Sequence, residues 1–108
     1  MATIHVKDQS EFNSKLEEAG EKLVVVDFFA TWCGPCKLIA PKLEELSAEL
    51  AEKIVIIKVD VDECEDLAAT YNISSMPTFV FIKNKTQVDS FSGANYDKLK
   101  LTINKHIS

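Results

Sequence analysis

Val24-Val25-Val26-Asp27-Phe28-Phe29-Ala30-Thr31-Trp32-Cys33-Gly34-Pro35-Cys36-Lys37 passes from an apolar run into a pair of cysteines and then into an amphipathic segment. The run over residues 23–30 is nearly continuous and rich in β-branched side chains, the pattern of a strand covered on both faces. Beyond Gly34, Ile39, Leu43, Leu46 and Leu50 recur at helical spacing, which predicts a helix over about residues 34–51. Pro35 suits the first turn of that helix, where its missing N–H has no intrahelical partner. Pro41 lies inside it and is expected to bend it. The two cysteines therefore fall at a strand-to-helix junction.

The same two periodicities run outward in both directions. Phe12, Leu16 and Ala19 share a helical face between Asp8 or Ser10 as N-cap and Gly20 as a stop. Ile54–Asp60 reads as a second buried strand. Leu67, Ala68 and Tyr71 form a short helix ending near Asn72. Thr78–Lys83 and residues 87–91 flank a polar turn and make a hairpin. Leu99, Ile103 and Ile107 are the buried stripe of a final helix capped by Asn95, and residues 3–6 make a weaker edge strand. The order β-α-β-α-β-α-β-β-α predicts an α/β fold: one mixed central sheet with helices on both faces.

A chain of 108 residues suits one domain over residues 1–108. A net charge of −5 with no basic run argues against nucleic acid or an anionic membrane as partner. No apolar run reaches membrane-spanning length, and residues 1–7 lack the apolar stretch of a signal peptide, so a cytoplasmic location is expected. Three cysteines are not a secreted disulfide framework. In that setting the sequons Asn72-Ile73-Ser74 and Asn84-Lys85-Thr86 are read as chance.

Cys33-Gly34-Pro35-Cys36 is the centre of the chemistry. N–H groups at a helix start are unpaired and carry partial positive charge, which favours a thiolate over a thiol. Cys33, nearer the tip, is the expected exposed nucleophile, and Cys36, a turn inward, the more buried and less acidic thiol. The pair reads as a redox motif. Three other readings compete with it: a zinc site, two inert buried cysteines and a static disulfide. Zinc needs four ligands, and the chain adds only Cys64, His5 and His106, with no second pair at ligand spacing. No metal is expected.

Two further positions admit two readings each. Asp27 is either a carboxylate at a strand end bonded to backbone, or a buried acid with a raised pKa that exchanges protons with a thiol. Lys58, the one charge inside Ile54–Val59, either snorkels to the surface or neighbours Asp27 across the sheet. Pro77, in Met76-Pro77-Thr78, opens the hairpin; most X–Pro bonds are trans, and a sheet start also tolerates cis.

Taken together, these segments resemble the thioredoxin family along the whole chain. The quoted residues 28–37, Asp60-Val61-Asp62, Met76-Pro77-Thr78-Phe79 and Phe91-Ser92-Gly93-Ala94 each match a family segment. The resemblance implies the thioredoxin fold, a five-stranded mixed sheet flanked by four helices in three layers. It implies Cys33 as nucleophile, Cys36 as resolving thiol, a Cys33–Cys36 disulfide, Asp27 as the buried proton acceptor and a cis bond before Pro77. It suggests Trp32, Gly34, Pro35, Met76, Pro77 and Gly93 as the substrate surface, with the Met76 backbone pairing an extended substrate segment. The implied activity is reduction of protein disulfides by a monomer with no bound cofactor. NADPH enters indirectly, through a thioredoxin reductase, and peroxiredoxin-type enzymes are implied among the substrates. The cytoplasm, and with it the nucleus, is the implied setting.

Departures from the family pattern sharpen the expectation. Cys64, in Glu63-Cys64-Glu65, stands alone; Tyr71 and Ser75 occupy positions where some vertebrate members carry cysteines. Cys64 is read as a partly buried inert residue in preference to a regulatory thiol. Asn84-Lys85 replaces the Asn-Gly or Asp-Gly common at this hairpin, which leaves the turn type open. The uncharged Gly34-Pro35 favours a reducing pair over an isomerase or oxidase, and a redox-dependent binding module is compatible with either.

Overall fold

A computed structural model describes residues 2–107. The elements are β1 (Ile4–Val6), α1 (Gln9–Ala19), β2 (Leu23–Phe29), α2 (Gly34–Glu49), β3 (Ile54–Asp60), α3 (Glu65–Thr70), β4 (Thr78–Lys83), β5 (Thr86–Ser92) and α4 (Tyr96–Ile107). They follow the expected order, with ends displaced by one or two residues. The strands form one sheet in the order β1-β3-β2-β4-β5. β1, β3 and β2 are parallel, and β2–β4 and β4–β5 are antiparallel.

β2 is central, and alternation along it divides the core. Val24, Val26 and Phe28 pack with Phe12, Leu67, Val59 and Val80 on the α1/α3 side. Leu23 and Val25 pack with Ile39, Leu43, Phe79, Phe81, Leu99 and Ile103 on the α2/α4 side. Asp27 shares the second phase, so its carboxylate enters the layer between the sheet and α2. Its register partners are Lys58 on β3 and Phe79 on β4.

Local signals set the element ends. Asp8 Oδ1 accepts the Glu11 N–H at 2.8 Å, while the Glu11 carboxylate accepts from Lys7 N–H, so the first turn of α1 is capped from both directions. Asn95 Oδ1 accepts the Lys98 N–H and caps α4. α2 continues through Pro41 without interruption. It is held to the start of β1 by Glu44, whose carboxylate accepts from Ala2 N–H and from Thr3 N–H and Oγ1. Asn84 and Lys85 both take positive φ, 51° and 66°, which makes the hairpin a two-residue type I′ turn despite the missing glycine. No helix among the described residues is long and apolar enough to cross a membrane.

The far end of α4 is fastened to the hairpin. His106 Nε2 lies 3.0 Å from Asp89 Oδ2, and the Lys83 ammonium donates to the His106 carbonyl at 2.8 Å. The His106 contact holds the Asp89 carboxyl below its usual range. A depressed carboxylate pKa contributes stability above the unfolded-state value and loses it as pH falls through the folded one. Asp89→Asn is therefore expected to cost about 1 kcal/mol at pH 7 and much less at pH 3, measured by urea unfolding at both pH values.

Candidate functional site

β2 ends at Phe29, and the chain turns through Thr31 and Trp32 to place Cys33 at the N-cap of α2. Its backbone is extended there, with the Cys33 N–H on the Ala30 carbonyl and the Cys33 carbonyl accepting from Lys37 N–H. The Cys36 N–H donates to Cys33 Sγ at 3.2 Å, so a sulfur does the capping work usually done by oxygen. Gly34 and Pro35 open the helix between the two cysteines. Cys33 and Cys36 are joined by a disulfide with their Cα atoms 5.3 Å apart. Both are buried, so Cys33 is not the exposed residue expected: Ala30, Phe29, Val61 and Met76 pack over the pair.

Two loops surround this pair. The Met76–Pro77 peptide is cis, and the Met76 carbonyl oxygen lies 3.7 Å from Cys33 Sγ. The Gly93 N–H donates to the Pro77 carbonyl at 2.8 Å, with Gly93 at φ 101°, where a side chain would be strained. On the other flank Trp32 is 66% exposed, and its indole N–H donates to Asp62 Oδ2 at 2.9 Å. The Asp62 N–H in turn bonds to Asp60 Oδ1, and the Val61 N–H to the Phe29 carbonyl. Asp62 lies in the segment Asp60-Val61-Asp62 that matches the family, but no spacing in the sequence marks it as the acceptor for Trp32.

A site with this strand-to-helix disulfide, facing cis-proline loop and five-stranded mixed sheet matches known proteins throughout. The family profile described as Thioredoxin matches residues 3–105. The chain belongs to the thioredoxin family. It is 53% identical to thioredoxin of Equus caballus over 98 residues, 91% of this chain and 92% of that one. It is 50% identical to Thioredoxin-T of Drosophila melanogaster over 101 residues, 94% of this chain but only 64% of that protein's length. The crystal structure of Fasciola hepatica thioredoxin superposes with a TM-score of 0.92 at 48% identity, covering 96% of this chain and 99% of that one. The family and the Cys33–Cys36 disulfide together make the chain a thiol–disulfide oxidoreductase. Among the described residues no group of three or more His, Cys, Asp or Glu is arranged to hold a metal ion.

On β2, six residues before Cys33, Asp27 is 1% exposed, and neither carboxylate oxygen has a hydrogen-bond partner. Burial raises its pKa to about 7, against the opposing pull of the Lys58 ammonium. Lys58 Nζ is 4.0 Å from Asp27 Oδ2 and 4.6 Å above the Phe29 ring. The Lys58 side chain is 20% exposed, so it both neighbours Asp27 and reaches toward solvent. Lys58, Phe29, Ala40 and Cys36 line one cavity of about 220 Å³, which gives the Cys36 side of the disulfide an outlet to solvent next to the ammonium. Cys64 lies apart from this constellation. It is buried, its Sγ rests 3.7 Å from the Val6 carbonyl, and burial together with nearby carboxylates raises its pKa.

Asp27 should make stability pH-dependent in the sense opposite to Asp89. An acid whose folded pKa is raised is easily buried while protonated, below its ordinary value of 3.8, and becomes a growing penalty up to its folded value of about 7. That interval of about three pKa units sets a ceiling of about 4 kcal/mol. Asp27→Asn removes the titration, so the variant is expected to gain stability on the parent by about 2–4 kcal/mol between pH 4 and pH 8. Chemical denaturation across that range checks it, and parallel curves would exclude the raised pKa.

Proposed function

We propose that this protein reduces protein disulfides, with Cys33 as nucleophile, Cys36 as resolving thiol and Asp27 as the proton acceptor for Cys36. The observation that carries the reading is the Cys33–Cys36 pair at the start of a 16-residue helix, with Lys58 lining the cavity beside Cys36 and pairing with the buried Asp27 carboxylate at 4.0 Å. In the dithiol form the Cys36 N–H and the helix start favour the Cys33 thiolate. That thiolate attacks one sulfur of a substrate disulfide. A Cys33–substrate bond forms, the substrate S–S bond breaks, and one substrate thiolate leaves. The Cys36 thiol gives its proton to Asp27, its sulfur attacks Cys33 Sγ, and the second substrate thiolate departs. Two electrons have passed to the substrate, and the Cys33–Cys36 disulfide is the product.

Lys58 tunes this transfer by lowering the Asp27 pKa, which enlarges the share of carboxylate able to accept a proton at pH 7. Trp32, Gly34, Pro35, Met76, Pro77 and Gly93 form the surface that receives the substrate, whose extended backbone pairs with Met76 as an added strand. The uncharged Gly34-Pro35 supports a reducing direction. The chain works as a single-domain monomer in the cytoplasm, with the nucleus as a second compartment. It is recharged by a thioredoxin reductase drawing on NADPH, and peroxiredoxin-type enzymes are among its substrates.

Insulin reduction tests the assignment. Cys33→Ser should fall to the uncatalysed rate, whereas Cys36→Ser should accumulate a covalent mixed disulfide detectable by mass. Turnover by Cys33→Ser at the parent's rate would sink the reading. For Asp27, single-turnover resolution of a preformed mixed disulfide is the measurement. Asp27→Asn should slow it by at least about tenfold at pH 7 and by much less above pH 9, where Cys36 ionises unaided.

A further inference from the structure

The protein carries a net charge of −5, yet one end of the α2/α4 layer is basic. Lys42 on α2 and Lys100 on α4 hold their ammonium groups 4.6 and 4.8 Å from the Tyr96 ring centroid. Lys98, on the first turns of α4, lies 4.9 Å from the Phe91 ring. All three side chains are exposed, and among the described residues none is in a salt bridge, although Lys15, Lys58, Lys85 and Lys105 are. Asp97 shares the first turn of α4 and is paired with none of them. Cation–π contacts fix the position of a lysine without neutralising it. Phe91 and Tyr96 thus hold three uncompensated charges in place, on rings rooted in the core against α2 and α4.

The position of this patch gives it a use. Phe91 and Tyr96 bracket Gly93, whose N–H bonds to the Pro77 carbonyl beside the disulfide. Lys42 is six residues beyond Cys36, about 9 Å further along α2. Three to five residues of extended substrate, at about 3.3 Å each, span about 10–17 Å, enough to cover that rise along α2. We propose that Lys42, Lys98 and Lys100, held on Tyr96 and Phe91, form a docking surface for acidic segments that flank the disulfide of a protein substrate. The proposal rests on the reductase reading above and names the substrate class. All twelve basic residues of the chain are lysines, so this surface offers point charges and no guanidinium forks. It selects by the number of carboxylates and not by their exact placement, and it acts on the rate of encounter.

Two disulfide-linked peptides test this, one with three glutamates at positions three to five from the attacked cysteine and one with three glutamines there. The readout is the ratio of their second-order rate constants for reduction, which is insensitive to a general loss of activity. The parent protein should prefer the glutamate peptide by about fivefold at low salt and lose that preference at about 0.5 M salt. The combined variant Lys42→Gln, Lys98→Gln, Lys100→Gln should give a ratio near one at low salt, and the corresponding arginine variant should keep the preference. A parent ratio near one, a preference that survives in the glutamine variant, or its loss in the arginine variant overturns the proposal. Reduction of neither peptide by the parent would overturn the reductase reading itself, and this proposal with it.

Discussion

At Cys33 the strand has ended and the helix has not yet closed its first hydrogen bonds, and every other part of the site is placed relative to that gap. The orphan N–H of Cys36 needs an acceptor, and the Cys33 sulfur supplies it at 3.2 Å. Such a contact is productive only if strand and helix are both immobile. β2 is immobile because its side chains are buried on two faces. α2 is immobile because Ile39, Leu43 and Leu46 enter the core and Glu44 ties it to the start of β1. The core therefore does more than stabilise the fold. It holds two sulfurs together over the end of a helix dipole, the placement that thiol–disulfide exchange needs.

The second constraint is electrostatic and works against stability. Alternation along β2 sends Asp27 into the layer under α2, where hydrophobic neighbours offer no hydrogen bond. A folded protein would be more stable with an apolar residue there. The arrangement makes chemical sense because the same desolvation that destabilises the carboxylate makes it a base near neutral pH. Lys58 moderates the effect from 4.0 Å, and Phe29 holds the ammonium in place. One row of the sheet thus sets a cost in folding energy beside the raised pKa that the proposed proton transfer needs.

The pattern-forming parts of this structure were legible before any coordinates. Periodicity or an apolar run marked the longer elements, whereas the three-residue β1 and β5, which has no buried residue, were legible only as an edge strand and as the arm after a polar turn; Asp8, Gly20 and Asn95 marked ends for local reasons of hydrogen bonding. The parts that depend on what lies opposite were not. Asp27 stood between two readings until the register set it against Lys58 and Phe79. Sequence spacing alone favoured trans at Pro77, and only the family resemblance suggested the cis bond that the structure contains. Asp62 belongs to a segment that matches the family, but its role as acceptor for the Trp32 indole is invisible in sequence because the two are thirty residues apart. The turn at Asn84-Lys85 lacked its usual glycine, yet both residues adopt positive φ because the twist of β4 and β5 demands a primed turn.

Cys64 shows why a position at a helix start does not by itself make a reactive cysteine. Like Cys33 it occupies an N-cap, but that of a six-residue helix, and its side chain accepts no capping hydrogen bond. Its sulfur faces the Val6 carbonyl, an acceptor that favours the protonated thiol. Its surroundings add Glu63, Asp60, Asp8 and Glu11, each of which opposes a negative sulfur, and burial acts in the same direction. Both sulfurs lie 3.7 Å from a carbonyl oxygen, but Cys33 also accepts the Cys36 N–H, and Cys64 accepts no capping N–H. Two cysteines at comparable places in the chain's secondary structure thus differ, one joined in a disulfide at the head of a long helix, the other a neutral side chain that fills space between β1 and α3.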